Sequence, residues 1–211
     1  MADTAALNGI HGLREIRRSP ASHLTAALEA GSVEGTVNLQ EGPFRTMVGL
    51  RVDPRSEGGA RVAAVAGGLP SRCGEVGGAD GVSVLWLGPS EYLVVAPEEA
   101  HDSLGGDLIG SLTTALGGAP GQVVDLSANR TTFELSGPRA RAVLEKGCSL
   151  DLHPRSFPPG TALNTEVGNI PLVLEKTGEE GFRLFPRASF ADFLGRWLLD
   201  AMREYASPEV P

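Results

Sequence analysis

The stretches TTFELSGPRARAVLEKG (residues 131–147) and IPLVLEKTGEEGFRLFP (residues 170–186) contain the clearest succession of structural elements in the chain. The first alternates polar and apolar residues and then changes to helical spacing after a glycine-proline pair, which predicts a strand followed by a helix from Ser136 to Gly147. The second has two apolar runs on either side of a glycine-rich turn, a pattern typical of a β-hairpin. A final amphipathic helix is predicted for SFADFLGRWLLDAMREY (residues 189–205), with Ser189 and Asp192 placed to form a capping box.

The same order of elements occurs earlier in the chain. It consists of a half-buried strand in RTMVGLRV (45–52), a helix near GGARVAAVAGG (58–68), a hairpin in VSVLWLGPSEYLVVAP (82–97) and a helix in DSLGGDLIGSLTTALGG (102–118). The two hairpins align when one is shifted by 90 residues (178 − 88 = 90), which places Gly88 with Gly178 and Tyr92 with Phe182. An internal repeat of this kind indicates two similar structural units.

These patterns predict an α+β fold in which two similar βαββα-type sandwich halves are fused into one domain, with the helices collected on one face of each antiparallel sheet. We expect three segments along the chain. Residues 1–36 form an arm and a short helix capped by Ser19, residues 37–120 the first half, and residues 121–211 the second half.

The composition disfavours several classes of function. The 211-residue chain carries 18 Lys and Arg against 26 Asp and Glu, a net charge of −8, which argues against binding to nucleic acid or to an anionic membrane. No segment approaches the ~20 apolar residues of a transmembrane helix, and the N-terminus lacks the pattern of a secretion signal. Cys73 and Cys148 lie far apart in sequence, so we expect reduced thiols in a cytoplasmic protein.

The second half resembles the folate-binding domain of the glycine-cleavage T-protein (aminomethyltransferase) family. The resemblance rests on VVDLSANRTTFELSGPRARAVLEKG (123–147), with its Gly137-Pro138-x-Ala140 helix start, and on the turn from Lys176 to Phe182. In that family the corresponding turn reads Arg-Thr-Gly-Tyr-Thr-Gly-Glu-Asp-Gly-Phe. The first half resembles the family more weakly, through GVSVLWLGPSEYLVVAP (81–97). The resemblance implies a T-protein-like fold.

Three further stretches extend the resemblance over nearly the whole chain: WLGPSEYLVV (86–95), KGCSLDLHPRSFPPG (146–160) and SFADFLGRWL (189–198). They are similar to the gamma subunits of heterotetrameric sarcosine oxidases, a family of shortened T-protein-like chains. That resemblance implies a bacterial flavoenzyme that oxidises sarcosine to glycine with tetrahydrofolate and oxygen, giving 5,10-methylenetetrahydrofolate and hydrogen peroxide. It further implies a non-catalytic structural subunit with alpha, beta and delta subunits as partners, and with FAD, FMN, NAD and tetrahydrofolate carried by the other subunits.

Two departures from the T-protein pattern bear on catalysis. The paired catalytic aspartates of the family correspond to Asp80-Gly81 here, so one carboxylate at most is retained, and we expect the C-terminal domain that closes the folate cavity to be missing. The alternative function is an autonomous folate-binding, aminomethyltransferase-like protein that uses Asp80 and Glu179. A folate-binding regulator without catalysis is a third possibility. For either, a vestigial folate pocket would lie near Glu179 and Glu180, although turn formation explains that segment more simply.

The grouping of Cys148, Asp151, His153 and Arg155 within eight residues has the composition of a Cys/His nucleophilic centre. The structural interpretation is favoured, however. Gly147 is placed to end a helix, cysteine is more often a small buried hydrophobe, and Asp151 and His153 alternate outward in SLDLHP. We therefore expect no catalytic, cofactor-binding or metal-binding residue in this chain, and His11, His23 and His101 show no ligand spacing.

Two features could contact a partner subunit. Trp86 and Trp197 are candidates for an interface, but their positions on predicted apolar faces favour core packing. The arm before the first helix places Ile10, Leu13 and Ile16 at near-helical spacing, beside three arginines that could meet carboxylates of a partner: Arg14, Arg17 and Arg18.

Overall fold

A computed structural model of the chain describes residues 17–206. Ten strands form two five-stranded sheets in which every strand pair is antiparallel. The strands are β1 (Asn38–Glu41), β2 (Arg45–Val52), β3 (Val76–Gly77), β4 (Ser83–Gly88), β5 (Glu91–Pro97), β6 (Gly121–Asp125), β7 (Phe133–Ser136), β8 (Thr161–Val167), β9 (Ile170–Lys176) and β10 (Gly181–Pro186). The α-helices are α1 (Thr25–Gly31), α2 (Glu57–Ala66), α3 (Leu108–Leu116), α4 (Ala140–Glu145) and α5 (Ala191–Ala206).

Each sheet contains one strand contributed by the other half of the chain. The first sheet has the order β3-β4-β5-β2-β6, and the second has the order β8-β9-β10-β7-β1. Strand β1 precedes β2 along the chain but pairs with β7, whereas β6 precedes β7 but pairs with β2. The two halves therefore exchange their first strands, and the chain crosses between the sheets in the β1–β2 and β6–β7 connections.

The internal repeat predicted from the hairpins is confirmed residue by residue. Trp86 lies opposite Tyr92 in the first hairpin, and Lys176 lies opposite Phe182 in the second, which is the same pairing shifted by 90 residues. The next strand in each sheet occupies the equivalent place with a shorter shift: Val48 pairs with Val94 and Phe133 pairs with Leu184, so β2 and β7 are 85 residues apart (133 − 48 = 85). Each half also contains two strands that the sequence patterns did not indicate, β1 and β3 in the first and β6 and β8 in the second.

The chain folds as four layers, with helices on the two outer sides and the sheets between them. Helices α2 and α3 pack on the first sheet through residues such as Val62 and Leu112. Helices α1, α4 and α5 pack on the second sheet in the same way. The inner faces of the two sheets meet in a third apolar cluster: Met47, Leu85, Leu93, Val95, Ala162, Val173 and Phe185. The α+β class with two similar halves is thus confirmed, and the sheet-to-sheet cluster makes them one unit.

Strand β2 is more buried than predicted. The sequence pattern indicates one apolar face, Val48, Leu50 and Val52, and this face does pack against the helices. Met47 on the opposite face is also buried, with 1% of its surface exposed, because the second sheet covers it. Half-burial is therefore wrong for the part of β2 that lies between the sheets.

Three local predictions about helix ends are wrong. Helix α4 begins at Ala140 rather than Ser136, because Gly137 adopts a positive φ of 107° and its backbone N–H donates to Glu180. The Ser19 hydroxyl donates to Glu41 (2.5 Å) instead of capping a helix. Asp192 accepts hydrogen bonds from Arg196 and pairs with His23, so its carboxylate is engaged away from a capping box.

The predicted N-terminal arm falls mostly outside the described residues, including Ile10, Leu13, Arg14 and Ile16. Arg17 and Arg18 are described, and Arg17 pairs with Glu98 of the same chain while its guanidinium lies 4.0 Å from the centre of the Phe44 ring. Within residues 17–206, no helix is both long and apolar enough to cross a lipid bilayer.

Candidate functional site

Cys148 lies in the turn that follows α4, and its contacts lead to strand β8. Its backbone N–H donates to the Leu144 carbonyl (2.9 Å), its Sγ lies 3.7 Å from the Thr165 hydroxyl, and its backbone bridges to Val167. The thiol is half-buried against the core of the second sheet. These contacts attach the end of α4 to β8.

Asp151, His153 and Arg155 form a separate, exposed turn. The Asp151 carboxylate accepts hydrogen bonds from the Ser156 hydroxyl (2.6 Å) and from the His153 backbone N–H (3.0 Å), and these two bonds lower the pKa of Asp151. His153 Nδ1 in turn accepts from the Arg155 backbone N–H (3.2 Å). The imidazole therefore orders its own loop, and its contacts are distinct from those of Cys148. Such an arrangement fixes a backbone turn, whereas a nucleophilic centre needs a base within hydrogen-bonding reach of the thiol.

The turn from Lys176 to Phe182 also serves to join elements. Thr177 donates to the Gly181 carbonyl (2.9 Å), and the Glu180 carbonyl accepts from Gly137 (3.0 Å), which connects the turn to the start of the α4 region. The side chains of Glu179 and Glu180 are exposed. Lys176 is buried, with its Nζ 5.4 Å from the centre of the Phe182 ring.

Asp80, at the position of the T-protein aspartates, lies in an exposed turn with a positive φ of 53°. Aspartate is one of the residues that tolerate this backbone conformation. Both carboxylates on which the folate-enzyme alternative depends, Asp80 and Glu179, are therefore exposed on turns. Among residues 17–206, no group of three or more His, Cys, Asp and Glu side chains is arranged to hold a metal ion.

The two tryptophans are partly buried and pack against the outer apolar clusters. Trp86 packs against the cluster under α2 and α3, and Trp197 packs against the cluster under α5. Phe193, which the sequence pattern places on the same apolar stripe as Trp197, is instead 53% exposed. It is one of three large apolar side chains exposed within the described residues, together with Val65 and Val124. These three belong to different elements, α5, α2 and β6.

A partly buried group of ions lies between the two sheets and was not predicted from the sequence. Arg183 contacts both Glu134 (3.4 Å) and Glu175 (3.5 Å), and Arg45 contacts Glu134 (3.3 Å). Burial raises the pKa of Glu175, while Arg183 opposes the change. Burial also acts to raise the pKa of Glu134, but the hydrogen bond from Gln40 and the charges of Arg183 and Arg45 hold it below its ordinary value. The signal available in the sequence is the alternation that places Glu175 on the same face as Val173.

Comparisons with known proteins agree with this fold. The model of the "Sarcosine oxidase, gamma subunit family" matches residues 57–204. The chain is 52% identical over 197 residues to the sarcosine oxidase subunit gamma of an Arthrobacter species, an alignment that covers 92% of this chain and 94% of that relative. It is 49% identical over 200 residues to the sarcosine oxidase subunit gamma of Corynebacterium sp. strain U-96, covering 93% of this chain and 95% of the relative.

Solved structures give a consistent result. The heterotetrameric sarcosine oxidase from Corynebacterium sp. U-96, in complex with pyrrole 2-carboxylate, contains a chain that matches with a TM-score of 0.87 and 49% identity over 93% of this chain and 100% of that one. The glycine cleavage system aminomethyltransferase T from Bartonella henselae matches with a TM-score of 0.58 and 14% identity, over 83% of this chain and 48% of that protein, which is a likeness of fold. Since the family model matches most of the chain and the relatives are similar over nearly their full lengths, the chain belongs to the sarcosine oxidase gamma subunit family.

Proposed function

We propose that this chain is a non-catalytic structural subunit of a cytoplasmic heterotetrameric sarcosine oxidase. The complex oxidises sarcosine to glycine with tetrahydrofolate and oxygen, and it releases 5,10-methylenetetrahydrofolate and hydrogen peroxide. Alpha, beta and delta subunits are the partners, and they carry FAD, FMN, NAD and tetrahydrofolate. The observation that carries this proposal is the 49% identity, over 93% of this chain, to a chain of a heterotetrameric sarcosine oxidase.

The arrangement of the candidate residues supports a structural role. The thiol of Cys148 contacts β8, the Asp151–His153 pair orders an exposed loop, and Asp80 lies in an exposed turn. Side chains that act together in catalysis must converge on one space. The described contacts of these residues instead hold helices and turns in place, so the fold presents a rigid surface on which other subunits can assemble.

Purification of the affinity-tagged full-length chain from its own host tests this proposal. We expect the tagged chain to co-purify with larger subunits, and the resulting material to show flavin absorbance and to form peroxide from sarcosine. The chain purified alone should be colourless and should form no peroxide. Flavin absorbance retained by the isolated chain, or peroxide formed by it from sarcosine, would contradict the structural role.

Two substitutions serve as controls within the assembled complex. Cys148→Ser and His153→Ala should leave the turnover of intact complex unchanged, because neither side chain is expected to touch the reacting atoms. A hundredfold loss of turnover, about 2.7 kcal/mol of transition-state stabilisation, would restore the catalytic interpretation of this turn. Saturable binding of tetrahydrofolate by the isolated chain, lost on Glu179→Gln, would instead favour the autonomous folate-binding alternative.

A further inference from the structure

A cavity of about 250 Å³ lies where the two crossover connections meet. Its wall is formed by the β1–β2 connection, by the β6–β7 connection and by the first described residues of the chain, among them Arg17 and Arg18. Arg45 pairs with Pro97 and Arg130 pairs with Arg187, so the two arginines occupy equivalent positions in the halves (187 − 97 = 90), and both line the cavity. The strand exchange thus gathers four arginines around one small space, although the chain as a whole has a net charge of −8.

Buried polar atoms without hydrogen-bond partners are concentrated in residues that line this cavity. Within residues 17–206, four buried side-chain nitrogen or oxygen atoms lack a partner. Three of them belong to residues of the cavity wall: Arg45 Nε, Arg130 Nε and Thr132 Oγ1. Guanidinium nitrogens can only donate, and a threonine hydroxyl can donate as well. Buried polar groups are nearly always paired in native proteins, so these three donors lack an acceptor that a ligand in the cavity could supply.

The charges of the arginines point to the same kind of acceptor. Arg17 is paired with Glu98, and Arg45 with Glu134. In the described part of the chain, neither Arg18 nor Arg130 is within salt-bridge distance of a carboxylate. Arg130 Nη1 donates to the Phe185 carbonyl (2.7 Å), a neutral acceptor, and burial and the nearby charge of Arg187 lower the pKa of Arg130. An anion in the cavity would supply both the missing charge and the missing acceptor atoms.

We propose that this cavity binds a small oxyanion, a carboxylate or phosphate group, through Arg130, Arg18 and the hydroxyl of Thr132. Its volume is below the ~300–1,000 Å³ of pockets that enclose drug-sized ligands, so it fits a small group rather than a whole dinucleotide or folate. Arginine suits both chemistries, because its guanidinium matches the planar geometry of a carboxylate and the oxygens of a phosphate. The group can come from a free anion or from an acidic residue of a partner subunit.

Calorimetric titration of the full-length chain with inorganic phosphate and with malonate tests the proposal, with sodium chloride of equal ionic strength as the reference. We expect saturable binding of one anion per chain. Thr132→Val is nearly isosteric and should weaken binding by about tenfold or more, since hydrogen bonds to charged groups are among the stronger ones. Arg18→Gln should also weaken binding. Arg155→Gln, which removes an exposed arginine outside the cavity, is the matched control and should bind as the original chain does.

The source of the anion is resolved by repeating the titration on the assembled complex. Binding lost in the complex would assign the site to a carboxylate of a partner subunit, and binding retained there would assign it to a free anion. Both results support the site. Absence of saturable binding to the isolated chain, or equal affinity in Thr132→Val and Arg18→Gln as judged against the control, would overturn it. Unfolding curves of each variant show whether the fold is intact.

Discussion

Glu134 and Glu175 contact the same arginine, yet their pKa values move in opposite directions. Glu175 is buried, and the cost of desolvating its charge exceeds the favourable interaction with Arg183 at 3.5 Å. Its pKa therefore rises from the ordinary 4.5. Glu134 is more exposed and gains Gln40 and Arg45 as further partners, so its pKa falls. The relative exposure of two carboxylates on neighbouring strands therefore decides which one holds a proton more tightly.

These opposite shifts predict opposite effects of pH on stability. Glu175 has a raised pKa in the folded state, so its contribution to stability is present below pH 4.5 and is lost as the pH rises through the folded-state value. Glu134 has a lowered pKa, so its contribution is present above pH 4.5 and is lost as the pH falls. When the pKa of a group differs by one between the folded and the unfolded state, the free energy of unfolding changes by about 1.4 kcal/mol across the titration.

Urea unfolding of Glu175→Gln and Glu134→Gln, from below pH 4.5 to neutral pH, measures these contributions. The free energy of unfolding of the original chain should fall relative to Glu175→Gln as the pH rises above 4.5. Relative to Glu134→Gln, it should fall as the pH drops below 4.5. Glu179→Gln controls for removal of an exposed carboxylate. Differences that do not vary with pH, or that vary in the same direction for both variants, would show that the two carboxylates do not titrate as argued.

The alternation of β9 predicts the strand but not the environment of Glu175. A period of two shows that Glu175 shares a face with Val173, and a single sequence then leaves open whether that face meets solvent or another sheet. The facing sheet determines the answer, which for Glu175 is the first sheet, and that sheet is assembled from residues far away in the chain. The same reason explains why Met47 is buried against expectation, and why the unpaired hydroxyl of Thr132 could not be inferred from the sequence.

At the scale of elements, helix α5 is held against the turn between β8 and β9 by one aromatic side chain. Trp197 lies over Gly147 and Gly168, and a β-carbon at Gly168 would come within 2.8 Å of its ring. Gly168 also has a positive φ of 57°, which favours glycine. Two separate requirements, backbone conformation and close contact, therefore coincide at this position.

Gly160 offers a matched position that separates these two requirements. It has a positive φ of 80°, but a β-carbon there would have no atom within 4 Å. We expect Gly160→Ala to destabilise the fold by about 1 kcal/mol through backbone strain. Gly168→Ala should destabilise it by a further ~1–3 kcal/mol, because Trp197 must move. Chemical denaturation gives both values, and equal losses would mean that the contact between Trp197 and the turn is not tight.

Elements whose pattern lies within a short stretch of sequence could be predicted, whereas strands that depend on a hydrogen-bonding partner far away in the chain could not. Both hairpins follow from adjacent apolar runs and a glycine turn, and their registers agree with the 90-residue shift. Strands β1 and β6 are short and largely exposed, and each acquires its hydrogen-bonding partner from the other half. The predicted helix from Ser136 is longer than the observed α4. Gly137 and Arg139 donate to the backbone carbonyls of Glu180 and Thr36, so the chain becomes helical only at Ala140.

Exchange of β1 and β6 makes each half of the molecule depend on the other for one strand of its sheet, a dependence that the sequence repeat alone does not indicate. A half cut out at the predicted boundaries, residues 37–120, keeps β1, whose partner β7 is lost, and lacks β6, the partner of β2. Strand β2 then becomes an edge with unpaired backbone groups. Both halves also share the apolar cluster between the sheets, including Leu93 and Phe185. A segment defined by the sequence repeat therefore does not contain all the strands of one sheet.

Two fragments of equal length test this distinction. Residues 42–125 contain all five strands of the first sheet together with α2 and α3, whereas residues 37–120 replace β6 with the unpartnered β1. Both expose the inner face of the sheet to the same extent, so any difference between them reports on the exchanged strand. We expect residues 42–125 to show more antiparallel-sheet circular dichroism and slower hydrogen exchange at the amides of β2, because β6 covers the edge of that strand. Equal order in the two fragments, or more order in residues 37–120, would mean that the strand exchange contributes little and that the sequence repeat itself defines the folding unit.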